Sequence, residues 1–374
     1  MILAKKNVAI IYDGFPHYRK AIIEELSASP EFNYYYFADT EYRDPSISLY
    51  RFGPSQNFIA TRSISIGPLF IQWRIFLNLL RLDISYCVFL GNPHFLACWT
   101  LVPLLRLMGK RVYFWTHGWI SANESPLTRI MKDVFFSLPN ELFLYGNRSK
   151  LIGQSHGFKP TKMHVINNCL DYLSQKNIFS KLAKHPQSSL RNELGLPLNA
   201  KIIICTARIT QKCRFDLLIN AAVTLKDKGH NVFLVFVGDG PEKKRLEMLA
   251  FSVGISYKFW GACFDEEVVA KLYKASDLTV SPGKVGLTAI HSMAYGTPVI
   301  SHGNFDHQMP ECEAIIPGIT GDFFAENSTE DLANVINKWF IAHSEKPETE
   351  CINRVESEFT PAFQRRVIED ALKQ

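Results

Sequence analysis

The 374 residues are 47% hydrophobic and 21% charged, with 21 glycines and 19 prolines; this excludes a fibrous or disordered chain and leaves room for two domains with cores of their own. The 41 basic and 36 acidic residues give a net charge of +5, too mild for a nucleic-acid binder but suited to an anionic ligand or surface.

Eight cysteines stand at 87, 98, 169, 205, 213, 263, 312 and 351, with no CxxC pair. The spacing suggests neither a metal site nor a disulfide framework. Several lie in apolar runs, where a thiol packs as a small hydrophobe, and a reduced, cytoplasmic chain is expected. The start, MILAKKNVAIIYDG, leads straight into a strand and lacks the layout of a signal peptide. The apolar stretches 68–82 and 95–108 are too short or too interrupted for a bilayer span, which takes about 20 residues. Peripheral attachment to the inner face of the cytoplasmic membrane stays open.

In chain order, Asn7–Tyr12 reads as a buried strand and His17–Ala28 as a helix. Tyr34–Phe37 is a strand, Phe70–Leu80 a helix, Ile84–Leu90 a strand and His94–Leu107 a helix. Arg111–Trp115, Glu141–Tyr145 and Met163–Ile166 are strands, separated by helices at Ser125–Phe136 and Arg148–His156. The polar stretch 170–197 shows no strand and reads as a linker. A second series follows, with strands at Ala200–Thr206, Asn231–Val237, Tyr257–Trp260, Leu278–Ser281 and Pro298–Ser301. Helices at Arg214–Lys228, Glu242–Val253, Asp265–Ala275 and Gly286–Tyr295 lie between them, and the tail from Thr329 is helical. Alternation of this kind specifies an α/β protein with two tandem, doubly wound, Rossmann-like domains.

Ligands of such sheets bind at the carboxyl ends of the strands. Three turns there carry chemistry. In FVGDGPE, Gly238 and Gly240 free the backbone to approach an anionic or nucleotide ligand, or simply make a tight turn. In SPGKVGLTAIH, Gly283 and Gly286 loosen a loop that opens a helix near Leu287–Thr288; free amides and a helix end there suit a diphosphate, with Lys284 at the rim. In CTARITQKCRF, Arg208, Lys212 and Arg214 follow a strand and could neutralise a leaving phosphate, or form a solvated basic loop. In the first half, YDGFPHYRK and FWTHGW place His17 and His117 after strands, with Asp13 and Glu124 the nearest carboxylates. The helix 125–136 and the segment 67–82 mix apolar and basic residues, as packing helices or as a patch for anionic lipid.

The second half carries FDLLINA, FVGDGPE, KFWGAC, LYKASDLTVSP, GLTAIHSMAYGTPVIS and PECEAIIPGITGDFF in one order. In this the sequence resembles the GT-B glycosyltransferases of the group-one, or family-four, type that build bacterial surface polysaccharides. The first half fits more loosely through THG, LFLYGN and KMHVINNCLD. The resemblance implies a GT-B fold whose two domains face a central cleft. It gives an acceptor domain at 1–175, a donor domain at 176–358 and a final helix at 359–374 that packs back on the first domain. It implies that Arg208 grips the donor diphosphate and that Gly286, Leu287 and Thr288 hold the distal phosphate. Gly238 and Gly240 would line the donor cleft, and Trp260, Gly261 and Ala262 would frame the nucleobase. His117 would face the donor sugar. The family carries two glutamates eight residues apart; here Gly283 and His291 stand in their places. The family lysine after Arg208 falls on Cys213, with Lys212 and Arg214 as the neighbours that could supply the charge. Glu311 or Glu313 could bring back a carboxylate.

The expected reaction is hexosyl transfer from a nucleotide diphosphate sugar to a saccharide acceptor, lipid-linked in lipopolysaccharide, O-antigen or capsule synthesis. It is expected to retain configuration and to use no metal and no cofactor beyond the nucleotide sugar. His17 or Asp13 would serve as base if it inverts. The alternatives are a degenerate sugar-nucleotide-binding subunit and a GT-B sugar-nucleotide epimerase.

Overall fold

The computed structural model describes residues 5–41, 48–72 and 75–374. They form two compact units, Met1–Asp171 with Pro361–Gln374, and Tyr172–Thr360. The second unit opens at Tyr172, ahead of 176, because that residue starts a helix; the chain returns to the first unit at Pro361.

The first unit contains β1 (Lys6–Ile11), α1 (Lys20–Ser27), β2 (Phe32–Ala38), β3 (Asn57–Ala60), β4 (Ser63–Ile66), β5 (Leu69–Gln72) and α2 (Ile75–Arg81). β6 (Tyr86–Leu90), α3 (Leu96–Leu107), β7 (Arg111–Thr116), α4 (Pro126–Ser137), β8 (Glu141–Leu144), α5 (Asn147–Ser155) and β9 (Met163–Val165) follow. Seven strands make a parallel sheet in the order β3-β2-β1-β6-β7-β8-β9. Its strands are apolar on both faces, as helices on both sides require. Ala9, Ile11, Phe89 and Phe114 pack on one face. Ile10, Tyr36, Val88 and Tyr113 pack on the other, with Ile22 and Leu26 of α1.

The helix expected over 70–80 begins as a strand. Ser63–Ile66 and Leu69–Gln72 pair antiparallel, Ile66 opposite Leu69, with Gly67 and Pro68 as the turn. The helix starts at Ile75; residues 73 and 74 lie outside the described residues. Two-residue hairpin turns favour glycine, and Ser-Ile-Ser-Ile before it alternates with period two.

The second unit contains α6 (Tyr172–Leu182), α7 (Gln187–Glu193), β10 (Lys201–Thr206), α8 (Phe215–Asp227), β11 (Val232–Val237), α9 (Lys243–Ser252) and β12 (Ser256–Gly261). α10 (Glu266–Ala275), β13 (Leu278–Ser281), α11 (Thr288–Ala294), β14 (Val299–His302), β15 (Gly321–Phe324), α12 (Thr329–Ala342) and α13 (Glu348–Glu358) complete it. Its parallel sheet runs β12-β11-β10-β13-β14-β15. The stretch read as a linker holds α6 and α7; their Leu182 and Leu190, with Leu194 just after α7, are buried in one cluster with Ile202 and Ile204 of β10.

The last helix, α14 (Pro361–Lys373), belongs to the first unit. Ile368 and Leu372 join the core beside α1, the Tyr113 hydroxyl donates to the Ala371 carbonyl (3.2 Å), and Arg365 pairs with Glu25 (2.8 Å). No helix among the described residues is long and apolar enough to cross a membrane.

Candidate functional site

Each sheet reverses its strand order once. β1 has β2 on one side and β6 on the other; β10 has β11 on one side and β13 on the other. The crevice at the carboxyl end of such strands is where a doubly wound sheet takes its ligand. In the second unit the loops at that point are 207–214, after β10, and 282–287, after β13.

These loops are tied together. The Gly283 N–H donates to the Cys213 carbonyl (3.1 Å) and the Thr288 hydroxyl to the Thr206 carbonyl (3.1 Å). Buried Gln308 holds the second loop: its Oε1 accepts from the Val285 N–H (3.0 Å), and its Nε2 donates to the Ser301 hydroxyl (2.8 Å) and the His302 carbonyl (3.0 Å). The N–H groups of Gly286, Leu287 and Thr288 have no acceptor among the described residues. Gly286 lies at φ +45° with open space where a Cβ would stand, so a ligand can come up to the backbone there. The helix α11 has only seven residues. The bare amides, rather than a long helix dipole, are what the loop offers an anion.

Three cations lie on these two loops. Arg208, Lys212 and Lys284 are exposed, and their side chains have no hydrogen-bond or ion-pair partner among the described residues. Arg214 is different. Its φ of +53° turns the chain into α8, and its guanidinium is held by Asp216 (3.3 Å) and the Asn327 side chain. It is built into the helix start, which leaves Lys212 as the free neighbour of Cys213. The Cys213 thiol donates to the Arg208 carbonyl (3.1 Å).

Gly238 and Gly240 do not offer their amides, contrary to expectation. The Gly238 N–H donates to the Gly261 carbonyl (2.8 Å) and the Gly240 N–H to Asp239 Oδ1 (2.7 Å). Both glycines allow the 207–209 backbone to lie against them. The Trp260 side chain is half-buried against the cluster that includes Leu182 and Leu194, with the Lys258 ammonium 4.6 Å from its ring. Gly261, whose carbonyl accepts from Gly238, and exposed Ala262 follow it at the end of β12. Glu311 is buried on a short 3-10 turn, Pro310–Ala314, that packs on α11. The Glu313 carbonyl accepts from Arg354 (3.0 Å).

His291, one turn into α11, meets a carboxylate that sequence reasoning missed. Glu266 opens α10, and its Oε1 accepts from His291 Nε2 (2.8 Å), the Tyr295 hydroxyl (2.7 Å) and Gln175 Nε2 (3.3 Å). Burial opposes its ionisation. The hydrogen bond and charge of His291, with the Tyr295 and Gln175 donors, outweigh this and hold the carboxyl at about 2. A carboxylate depressed in the fold adds stability above its unfolded pKa, about 4.3; that share is lost as pH falls toward 2. The unfolding midpoint of Glu266→Gln is therefore expected below wild type at pH 6, with the gap closing between pH 5 and pH 2. A gap independent of pH would rule out an ionised Glu266.

In the first unit, His17 is exposed after β1, its Nδ1 within 3.0 Å of the Ser48 hydroxyl. Asp13 Oδ1 accepts from the Gly14 N–H (3.0 Å), and Glu124 pairs with Lys132. His117 follows β7 with its ring 4.8 Å from that of Tyr145. Burial, with the nearby Arg19 charge, lowers its pKa to about 4, so it is a neutral imidazole at neutral pH. Arg19 itself was overlooked in the sequence. Its guanidinium lies over the rings of Tyr145 (5.1 Å) and Trp115 (5.3 Å) and donates to the Tyr145 hydroxyl.

Residues 186–356, a little under half of the chain, match the family model of the glycosyl transferases group 1. A GDP-mannose-dependent alpha-(1-6)-phosphatidylinositol dimannoside mannosyltransferase of Mycobacterium tuberculosis is 28% identical over 184 residues, 47% of this chain and 45% of that protein. An alpha-monoglucosyldiacylglycerol synthase of Streptococcus pneumoniae is 34% identical over 120 residues, 31% of this chain and 27% of its own. The chain thus spans less than half the length of these curated relatives. Among solved structures, the lipopolysaccharide outer core galactosyltransferase WaaB matches with a TM-score of 0.70 and 14% identity, over 98% of this chain and 99% of its own. Anabaena Alr3699/HepE in complex with UDP and glucose matches with a TM-score of 0.65 and 15% identity, over 99% and 100%. At these identities the likeness establishes the fold, which is GT-B, built from two Rossmann-like α/β domains.

Proposed function

We propose that this chain is a glycosyltransferase that moves a hexose from a nucleotide diphosphate sugar to a hydroxyl of a saccharide acceptor. The observation that carries this reading is the anion site of the second unit. Bare amides at 286–288 and unpaired Arg208 and Lys212 lie on two tied loops at the strand-order reversal, within the segment that matches the group 1 family. Departure of a nucleoside diphosphate leaves negative charge on the bridging phosphate oxygen. Fixed donors and cations stabilise that charge as it develops, and in this reading they do so with no metal. Retention of configuration needs no enzymic base, because the leaving phosphate can take the acceptor proton. Incubation with UDP-, GDP-, ADP- and TDP-sugars and an oligosaccharide acceptor tests the reading: a new glycoside supports it. A free epimer would make the chain an epimerase, and binding without any product would make it a binding subunit.

We further assign the acceptor to a lipid-linked saccharide at a membrane surface, as in lipopolysaccharide or capsule synthesis. The α4 residues Leu127, Ile130, Met131 and Val134, spaced i, i+3, i+4, i+7, are all exposed, while Phe135 and Phe136 face the core. The β4–β5 hairpin adds exposed Ile64, Ile66 and Ile71. An exposed apolar helix stripe suits a bilayer interface, and the net charge of +5 favours an anionic one. The protein is expected to float with vesicles containing phosphatidylglycerol at low salt, and Ile130→Ser with Met131→Ser to weaken this several-fold. Equal flotation of the double variant would remove α4 from the contact.

A further inference from the structure

Glu266 has an asymmetry that its role in the fold does not use. All three donors, from His291, Tyr295 and Gln175, converge on Oε1; Oε2 accepts from none among the described residues. The side chain is 38% exposed, so Oε2 is within reach of a ligand. Three donors on one oxygen fix the other in place, and its ionised state makes it a strong acceptor for hydroxyl groups.

Its place in the chain says which hydroxyls. Glu266 stands a few residues beyond Gly261 and Ala262 at the end of β12. Through His291 it also touches α11, whose first turn carries the bare amides of the phosphate loop; the His291 N–H donates to the Leu287 carbonyl (2.9 Å). Base, ribose and diphosphate follow one another in a nucleotide. The β12 end, Glu266 and the 282–288 loop follow one another here.

We propose that the free oxygen of Glu266, positioned by His291 and Tyr295, binds the ribose hydroxyls of the donor, and that the chain thereby selects ribonucleotides over 2′-deoxyribonucleotides. This rests on the nucleotide-sugar reading above and adds to it a specificity-determining residue outside the loop motifs. A hydroxyl pair donating to a carboxylate holds a ribose; a 2′-deoxyribose offers only one of the two. Sugars of UDP, GDP or ADP would then be donors, and those of TDP would not.

The test uses bare nucleotides, which carry no hexose. ADP and UDP are titrated against 2′-dADP and dUDP by calorimetry with the full chain. Wild type is expected to bind the ribonucleotide about tenfold or more tightly, the worth of a hydrogen bond to a charged group. Glu266→Gln keeps the size and an acceptor for His291 but puts an amide donor in place of Oε2, and should bring the ratio near one. Wild type binding ribo and deoxy forms equally would overturn the proposal without any variant. So would an unchanged ratio in Glu266→Gln, or a loss in that variant seen with nucleotide sugars but not with bare nucleotides, which would assign the oxygen to the hexose. Failure of every nucleotide to bind would instead strike at the donor reading itself.

Discussion

Arg208→Ala is expected to lower kcat by about two to three orders of magnitude and to leave the melting point of the protein within about a degree or two. The first half rests on where the charge goes. In glycosyl transfer the diphosphate gains charge as the sugar leaves, and a guanidinium in place beforehand acts on the transition state more than on the ground state. Loss of one such donor costs on the order of 10²–10³ in rate. The second half rests on exposure. The Arg208 side chain has no partner among the described residues, so its removal breaks nothing in the fold, and surface changes of that kind stay within about 0.5 kcal/mol. Arg208→Lys should recover only part of the rate, since a point charge cannot donate two parallel bonds to a phosphate. Arg214→Ala is the control from the same loop. Its guanidinium is already committed to Asp216 and Asn327, so it should lower the melting point and spare kcat. If Arg208→Ala turned over normally, or if the two variants exchanged their effects, the diphosphate assignment would fall.

The difference between Arg208 and Arg214 was not legible in the sequence, where both are cations after a strand. The alternation of strands and helices was legible, because buried parallel strands are continuous apolar runs and the covering helices repeat with period 3.6. What failed were short or half-exposed elements. β3 (Asn57–Ala60) is an edge strand with no buried residue, so its composition carries little signal. The β4–β5 hairpin exposes Ile64, Ile66, Leu69 and Ile71, and an apolar run on an open surface looks like the start of a helix. The polar stretch 170–197 forms helices because one buried leucine from each, Leu182 and Leu190, with Leu194 and Leu196 just beyond, suffices to dock them on β10. Within the site, loop glycines and cations could be found by position after strands. Glu266 could not: in Asp-Glu-Glu it reads as ordinary negative charge in a first helical turn, where Asp265 is indeed the cap. Its partners His291 and Tyr295 come from a different helix. Arg19 was hidden for the same reason, since Trp115 and Tyr145 lie far along the chain. A cue was available in each case only after the fold had brought distant residues together.

The same limit makes the turn glycines a sharp test, because Gly238 and Gly286 read alike and should behave oppositely. Gly238 sits at φ +134°, and a Cβ built on it would lie 1.9 Å from the Ala207 carbonyl oxygen and 2.9 Å from its carbon. Both are backbone atoms, so no rotamer change can relieve the contact. The Ala207 N–H donates to the Val237 carbonyl (3.1 Å), the Ile209 N–H to the Asp239 carbonyl (2.9 Å) and the Gly238 N–H to the Gly261 carbonyl (2.8 Å). Moving the chains apart strains or breaks these bonds, at about 1 kcal/mol each, on top of roughly 1–3 kcal/mol for the backbone conformation. Gly238→Ala should therefore destabilise the protein by about 3 kcal/mol or more, a large part of the 5–15 kcal/mol typical of a domain, and should show it as a lowered unfolding midpoint in urea. At Gly286, φ is +45° and nothing lies within 4 Å of the added carbon. Gly286→Ala should cost only the conformational term, about 1 kcal/mol, while the new methyl stands where a phosphate would approach the bare amides. Its signature is weakened nucleotide binding in a protein that is nearly as stable as wild type. Matching midpoints for the two variants would mean that the loops after β10 and β11 separate without cost, and the packing role given to Gly238 would have to be abandoned.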